Sequence, residues 1–219
     1  MTTWRGALRL RAFDLLYQPL AWAYDAVSYG VSRGRWQAWG EAALDFLPGP
    51  RVLELGHGPG HLLATLAAGD GWAVGVDLSP QMGRLAQRRL AGGGRPARLV
   101  RGRGQALPLA AGAFDGVVAV FPAPYLLEPA TLRAIRRVLR PGGRLVIVPE
   151  AALTGADPLT RLVEWLLAVT GQRRAGDDDG TAYGALWEGL LAGAGFAVAV
   201  YEVAQPGSRV TVVVAERVG

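Results

Sequence analysis

A doubly wound α/β fold with a mostly parallel, seven-stranded sheet is what three features of the sequence predict. Short Val- and Leu-rich runs alternate with segments of helical spacing from Arg51 to Glu150, the pattern of parallel strands covered by helices on both faces. The first of these runs leads into a turn with glycines at alternate positions, Gly56, Gly58 and Gly60. Two strand-like runs close the chain around Gln205-Pro206-Gly207-Ser208, a hairpin that makes the last strand antiparallel.

Residues 3–47 read as two or three helical pieces, a cap ahead of the sheet that spans residues 1–50. Trp4, Leu8, Leu15 and Leu16 share one helical side, and Pro19 interrupts. A second piece carries Leu20, Trp22, Tyr24 and Val27, and a third, Trp36 to Phe46, stops at Leu47-Pro48-Gly49-Pro50. Strand 51–56 then leads to a helix from about Pro59 to Ala68, with proline suited to the first turn. Strand 72–77 leads to a helix opened by Ser79-Pro80, an N-cap followed by proline. Met82, Leu85, Ala86 and Leu90 give that helix its buried side, and Gly92-Gly93-Gly94 ends it. Strand 97–101, a loop from Gly102 to Ala113 and strand 114–121 follow. A helix from about Ala130 to Leu139 stops at Arg140-Pro141-Gly142-Gly143, before strand 144–149. An insertion at about 151–180 holds an amphipathic helix over 158–170 and a polar loop, Gly171 to Gly180. The last helix is expected over Tyr183–Ala194, and the hairpin strands over Phe196–Ala204 and Arg209–Val218. Residues 51–219 thus form one unit.

Composition narrows the function. The chain has 219 residues, 51% of them apolar, which suits one large domain. There is no Cys, so disulfides, thiolate metal sites and Cys nucleophiles are excluded. His57 and His61 are the only histidines, too few for an all-protein transition-metal site, and no metal is expected. The net charge is +5 and every basic residue is Arg. The arginines are dispersed along the chain, which does not favour nucleic-acid binding. Met1 to Leu20 is broken by Arg9, Arg11 and Asp14, unlike a signal peptide. No apolar run approaches the roughly 18 residues of a membrane span. A cytoplasmic protein is expected.

The glycine turn is built to receive a ligand against the backbone. Free N–H groups at the start of the helix that follows favour an electron-rich or anionic group. Asp77, at the end of the second strand, stands beside this loop and suits a ribose diol. A nucleoside-containing cofactor follows.

The segments VLELGHGPGH (52–61), VGVDLSPQMGRLA (74–86), ALPLAAGAFDGVVAV (106–120) and VLRPGGRLVIV (138–148) together resemble the class I S-adenosylmethionine-dependent methyltransferases. The likeness is to the small-molecule type, a broad group that includes quinone-biosynthesis C-methyltransferases. It implies a Rossmann-like fold and S-adenosyl-L-methionine as cofactor. By position, Glu54 would hold the amino end of the methionine moiety, and Gly56, Gly58 and Gly60 would line its methionine and ribose side. Asp77 would accept from the ribose hydroxyls and Leu78 would pack on adenine. Gln105 and Ala106 would border the adenine edge, while Phe121 and Pro122 would lie near the sulfonium and the acceptor. The resemblance also singles out Tyr24, within a Tyr-Asp pair ahead of the glycine loop, as the acceptor-side catalytic candidate.

One position departs from that pattern. Where the family commonly has Gly-Asp-Ala, with the Asp on the adenine amino group, this chain has Gly102-Arg103-Gly104. Arginine has no acceptor, so adenine recognition passes to Gln105 or to backbone groups. Other acceptor-side candidates are Tyr17, Tyr29, Tyr125, Glu150 and His57, the last more suited to shaping the loop. Methyl transfer needs alignment above all, and a base only where the acceptor must lose a proton. Segments 3–30, 121–127 and 151–170 are rich in Trp, Tyr and Leu, so the expected acceptor is small and lipophilic. The Trp-rich, Arg-flanked N-terminus also admits peripheral membrane contact. Two alternatives stand beside the enzyme reading. One is a non-catalytic methyltransferase-like scaffold, supported by Arg103. The other is an NAD-dependent oxidoreductase, against which the terminal hairpin and the glycine spacing speak.

Overall fold

In the computed structural model, residues 32–91, 98–154 and 181–219 are described. Seven strands form one sheet: β1 (Arg51–Leu55), β2 (Trp72–Asp77), β3 (Arg98–Arg101), β4 (Phe114–Val120), β5 (Leu139–Leu153), β6 (Phe196–Gln205) and β7 (Ser208–Arg217). Their spatial order is β3-β2-β1-β4-β5-β7-β6. Strands β1 to β5 pair in parallel, and β7 runs antiparallel between β5 and β6. The expected Rossmann-like sheet with an antiparallel last strand is therefore present. Strand order reverses between β1 and β4, so a crevice opens beyond their carboxyl ends.

Five helices accompany the sheet among the described residues: α1 (Trp36–Glu41), α2 (His61–Ala68), α3 (Pro80–Leu90), α4 (Pro129–Val138) and α5 (Thr181–Ala192). Side chains alternate across each strand, and two cores result. Leu53, Leu55, Val74, Val117, Leu145, Ile147 and Val213 pack with Leu132 and Ile135 of α4 and Trp187 and Leu191 of α5. Val52, Val118, Val146, Val148 and Val212 pack on the other face with Trp39 of α1 and Leu62 of α2. Both faces are apolar, which is why these strands read as continuous Val/Leu runs.

Several boundaries differ from the sequence expectation, three of them for a clear local reason. Helix α2 begins at His61, not near Pro59, because its N-cap Gly60 is left-handed at φ +81°. Helix α4 ends at Val138, and β5 takes up Leu139 opposite Phe114 before a register shift at Phe114/Gly116. At its far end β5 continues to Leu153 instead of stopping at 149, because β7 pairs with it as far as Leu153↔Ser208. The hairpin loop is Pro206-Gly207, with Gly207 at φ +67°, the positive angle that a type II turn requires at this position. The expected helix over 158–170 lies outside the described residues, as does the N-terminal cap before residue 32. No helix among the described residues is long and apolar enough to cross a membrane.

Candidate active site

The carboxyl end of β1 opens into a cavity of about 730 Å³, lined by the glycine loop and the ends of β2, β3 and β4. Gly56, Gly58 and Gly60 have φ of +76°, +51° and +81°, values that residues with a Cβ rarely adopt. Close approach adds a second constraint at two of them. A Cβ on Gly56 would lie 2.9 Å from the Tyr125 hydroxyl, and one on Gly60 2.8 Å from Ala86 Cβ. The turn is held from the side by Asp77. Its Oδ2 accepts the Gly58 N–H at 2.9 Å and its Oδ1 accepts the Ser79 N–H at 2.8 Å. Ser79 in turn caps α3, its hydroxyl accepting the Met82 N–H at 3.3 Å. One carboxylate thus couples the first loop to the second.

Glu54 stands beneath this loop, on the face of β1 toward α2, and is 4% exposed. It accepts a backbone hydrogen bond from Leu63, in the first turn of α2, while its Oε2 is buried without a hydrogen-bond partner. Burial raises its pKa to about 8, the negative Asp77 adds to the rise, and the Leu63 hydrogen bond opposes it. A buried carboxyl with one oxygen unsatisfied, at the wall of a cavity, calls for a donor or cation. The neighbouring His57 is also buried, and its Nδ1 lies 2.7 Å from the Gly58 carbonyl, to which it donates. Burial lowers the His57 pKa against the pull of Asp77 and the Gly58 carbonyl. A neutral imidazole bonded to its own loop shapes that loop.

The aromatic wall comes from β4 and α1. Phe121, the first residue after β4, has φ +45° and donates its N–H to the Val148 carbonyl at 2.7 Å. Its ring lies 4.4 Å from that of Trp36 and 6.1 Å from that of Trp39. Trp36, Phe121, Pro122 and Tyr125 all line the cavity. The contribution of Trp36 was missed in the sequence, where it reads as the first residue of an amphipathic helix. No motif marks it.

The structure brings together Glu54, Gly56, Gly58, Asp77, Leu78, Gln105 and Phe121 on one cavity, with Arg103 and His61 among them. Gly60 turns the loop just behind the lining. Leu78 is 53% exposed at the rim. Ala106 is not brought there; it faces solvent, and its N–H closes a one-turn helix by bonding to the Arg103 carbonyl at 3.1 Å. Glu150 is placed opposite Thr211 within the sheet, away from the lining. Tyr17, Tyr24 and Tyr29 lie outside the described residues. Among the described residues, no group of three or more acidic or imidazole side chains forms a metal site.

A glycine turn, an acid closing the adjacent strand and an apolar wall at a switch in strand order define a nucleoside-cofactor enzyme of the α/β class. Known proteins agree. A methyltransferase-domain family matches residues 52–143. The demethylmenaquinone methyltransferase of Symbiobacterium thermophilum is 32% identical over 68% of this chain and 61% of its own length. That of Mycobacterium tuberculosis H37Rv is 31% identical over 88% of this chain and 82% of its own length. The crystal structure of magnesium protoporphyrin IX methyltransferase from Synechocystis, with bound S-adenosylhomocysteine, superposes with a TM-score of 0.61 at 17% identity. It covers 95% of this chain and 99% of the other, a likeness of fold. The chain belongs to the class I S-adenosylmethionine-dependent methyltransferases.

Proposed function

We propose that this protein transfers a methyl group from S-adenosylmethionine to a small, lipophilic acceptor with a quinol-type ring, by in-line displacement. The observation that carries the reading is the conjunction of the Gly56–Gly60 turn with Glu54 and Asp77 on a cavity whose opposite wall is aromatic. The residues fit the cofactor. The unsatisfied Oε2 of Glu54 suits the methionine ammonium, and the open Cα face of Gly58, where a Cβ would meet nothing within 4 Å, suits close approach of a ligand. Asp77 keeps acceptor capacity on each carboxylate oxygen beyond its backbone bond, which suits a ribose diol.

When bound, this cofactor supplies a methyl carbon already activated by positively charged sulfur. The protein's part is alignment. Gly56 and Glu54 fix one end, Asp77 the middle, and Phe121 and Trp36, their rings tilted by 43°, offer an apolar wall against which an aromatic ring packs. Water exclusion by that wall favours transfer to the acceptor over side reactions. The quinol-type acceptor is supported by the names of the relatives from S. thermophilum and M. tuberculosis. In this reading Tyr24 touches the acceptor, and the cap expected over residues 1–50 and the insertion expected at 151–180 belong to its enclosure.

Calorimetric titration with S-adenosylhomocysteine, beside NADH and an Asp77→Ala variant, tests the cofactor site. Micromolar binding that collapses in the variant, with silence toward NADH, is expected. Transfer of labelled methyl from S-adenosylmethionine to short-chain demethylquinols then tests the acceptor. A folded protein that binds no S-adenosylhomocysteine would leave the scaffold reading in its place.

A further inference from the structure

The cofactor reading leaves the adenine amino group without its usual carboxylate, since Arg103 offers donors only. Strand order limits where that base lies. With the methionine end at Glu54 on β1 and the ribose at Asp77 on β2, the base extends outward over the end of β3, because β3 is the next strand in that direction. The wall there is Arg101, Gly102, Arg103, Gly104 and Gln105.

Three backbone carbonyls at this wall already accept a hydrogen bond. The Asp77 carbonyl takes the Gly102 N–H, the Leu78 carbonyl takes Arg101 Nε, and the Arg103 carbonyl takes the Ala106 N–H. A side chain remains. Gln105 lines the cavity, and its Nε2 donates to Glu128 Oε2 at 2.9 Å. Glu128 is the N-cap residue of α4, with extended backbone, so its side chain is carried by the junction with the preceding one-turn helix Pro124–Leu127. With the amide nitrogen held at a carboxylate, the carbonyl oxygen Oε1 is the acceptor that the amide has to present.

Resting on the cofactor reading above, we propose that Gln105 reads the adenine amino group through Oε1 and that Glu128 is the positioning residue that fixes the amide in that sense. The pair replaces the missing carboxylate. It also makes a chemical distinction that a lone glutamine would not. An amide free to flip offers either a donor or an acceptor, and so accommodates an amino group or an oxo group at the same place. Flipped, Gln105 would set its carbonyl against the Glu128 carboxylate, two acceptors face to face. Glu128 therefore excludes the oxo form, as a site excludes a ligand by leaving polar groups unpaired.

The experiment measures the dissociation constants of S-adenosylhomocysteine and of its 6-oxo analogue, S-inosylhomocysteine, for the wild type and three variants of matched thermal midpoint. The wild type is expected to prefer the adenine form by about tenfold or more, one hydrogen bond's worth of discrimination. Gln105→Leu brings the ratio to near one by weakening the adenine form. Glu128→Ala also brings it down, and does so by gaining affinity for the oxo form. A general structural role would weaken both ligands alike. Glu128→Gln, whose own amide can turn to donate to a flipped Gln105 carbonyl, lowers the preference as Glu128→Ala does. Tight S-adenosylhomocysteine binding with an unchanged ratio in Gln105→Leu overturns the pair and leaves the cofactor reading standing. No binding by the folded wild type overturns both.

Discussion

Glu54 is the residue whose chemistry is furthest from its ordinary state. Its carboxyl is raised to about 8 by burial and by Asp77, so in the empty protein it is mostly protonated at neutral pH. A group that holds its proton in the folded chain and has lost it in the unfolded chain makes stability fall as pH rises. That loss begins above the unfolded value and ends at about 8. His57, depressed by burial, acts oppositely and only below its unfolded value of about 6.5. The window from there to pH 8 therefore belongs to Glu54. Urea titrations of the ligand-free protein between pH 6.5 and 8 should show stability falling by up to about 1.4 kcal/mol per pH unit. Glu54→Gln should flatten that limb; a wild-type profile with no slope there would mean that Glu54 is already ionised. A bound ammonium favours the ionised form, so S-adenosylhomocysteine binding near neutrality should release protons and give a heat that changes with the buffer.

At the scale of elements, the close packing of α2 on β2 is set by Gly75. It pairs with Glu54 in the sheet, on the face toward α2. A Cβ there would meet Leu63 Cδ2 at 2.6 Å and His57 Cδ2 at 2.9 Å. Gly75→Ala should cost about 1–3 kcal/mol, the usual range for overpacking, and loosen S-adenosylhomocysteine binding through His57, which is bonded to the Gly58 carbonyl. Unchanged affinity in a destabilised Gly75→Ala protein would show that the loop holds its shape without His57. Phe121 works in the other direction. Its left-handed backbone at φ +45° costs about 1–2 kcal/mol, and the aromatic contacts to Trp36 and Trp39 offset it. Phe121→Gly should therefore change stability little while lowering methyl transfer more than cofactor binding.

These elements differ in how far the sequence exposes them. Gly56, Gly58 and Gly60 and Asp77 were legible because backbone angle and hydrogen bonding restrict the residue types that fit. The inner strands β1, β2, β4, β5 and β7 were legible because burial on both faces gives each a nearly continuous apolar run. Trp36 and Glu128 were not. Each is tied to the site by one contact with a residue distant in sequence, Phe121 or Gln105, and a single long-range contact leaves no periodic mark. The end of β5 was hidden for the same reason, since Ala151 and Ala152 are held in the strand by β7, more than fifty residues later. Ala106 shows the converse error: adjacency to Gln105 in sequence does not turn a short helix's outer residue toward the cavity.

Across the whole molecule, the site and the principal ionic clamp occupy opposite ends of the sheet. The cavity sits at the carboxyl ends of β1, β2 and β4, whereas Asp115 lies near the amino end of β4. Its Oδ2 accepts the Arg51 N–H at 2.9 Å, and its Oδ1 meets the Arg51 and Arg140 guanidiniums at 3.0 and 2.7 Å. Three segments, the starts of β1, β4 and β5, are thus tied by one buried carboxylate. The Arg51 hydrogen bond holds the Asp115 pKa below the usual carboxylate range, against its own burial. A depressed acid contributes stability above its unfolded pKa and loses it as pH falls through the folded one. Asp115 thus supplies part of the acid limb of the stability profile, and Glu54 the limb toward pH 8. Asp115→Ala should lower stability by about 1–3 kcal/mol and reduce the acid slope. The calorimetric affinity for S-adenosylhomocysteine should be unchanged, because no residue of the clamp lines the cavity. Were affinity to fall together with stability in Asp115→Ala, the two ends of the sheet would be coupled, and the cofactor loop would depend on the alignment of β1 with β4 along its full length.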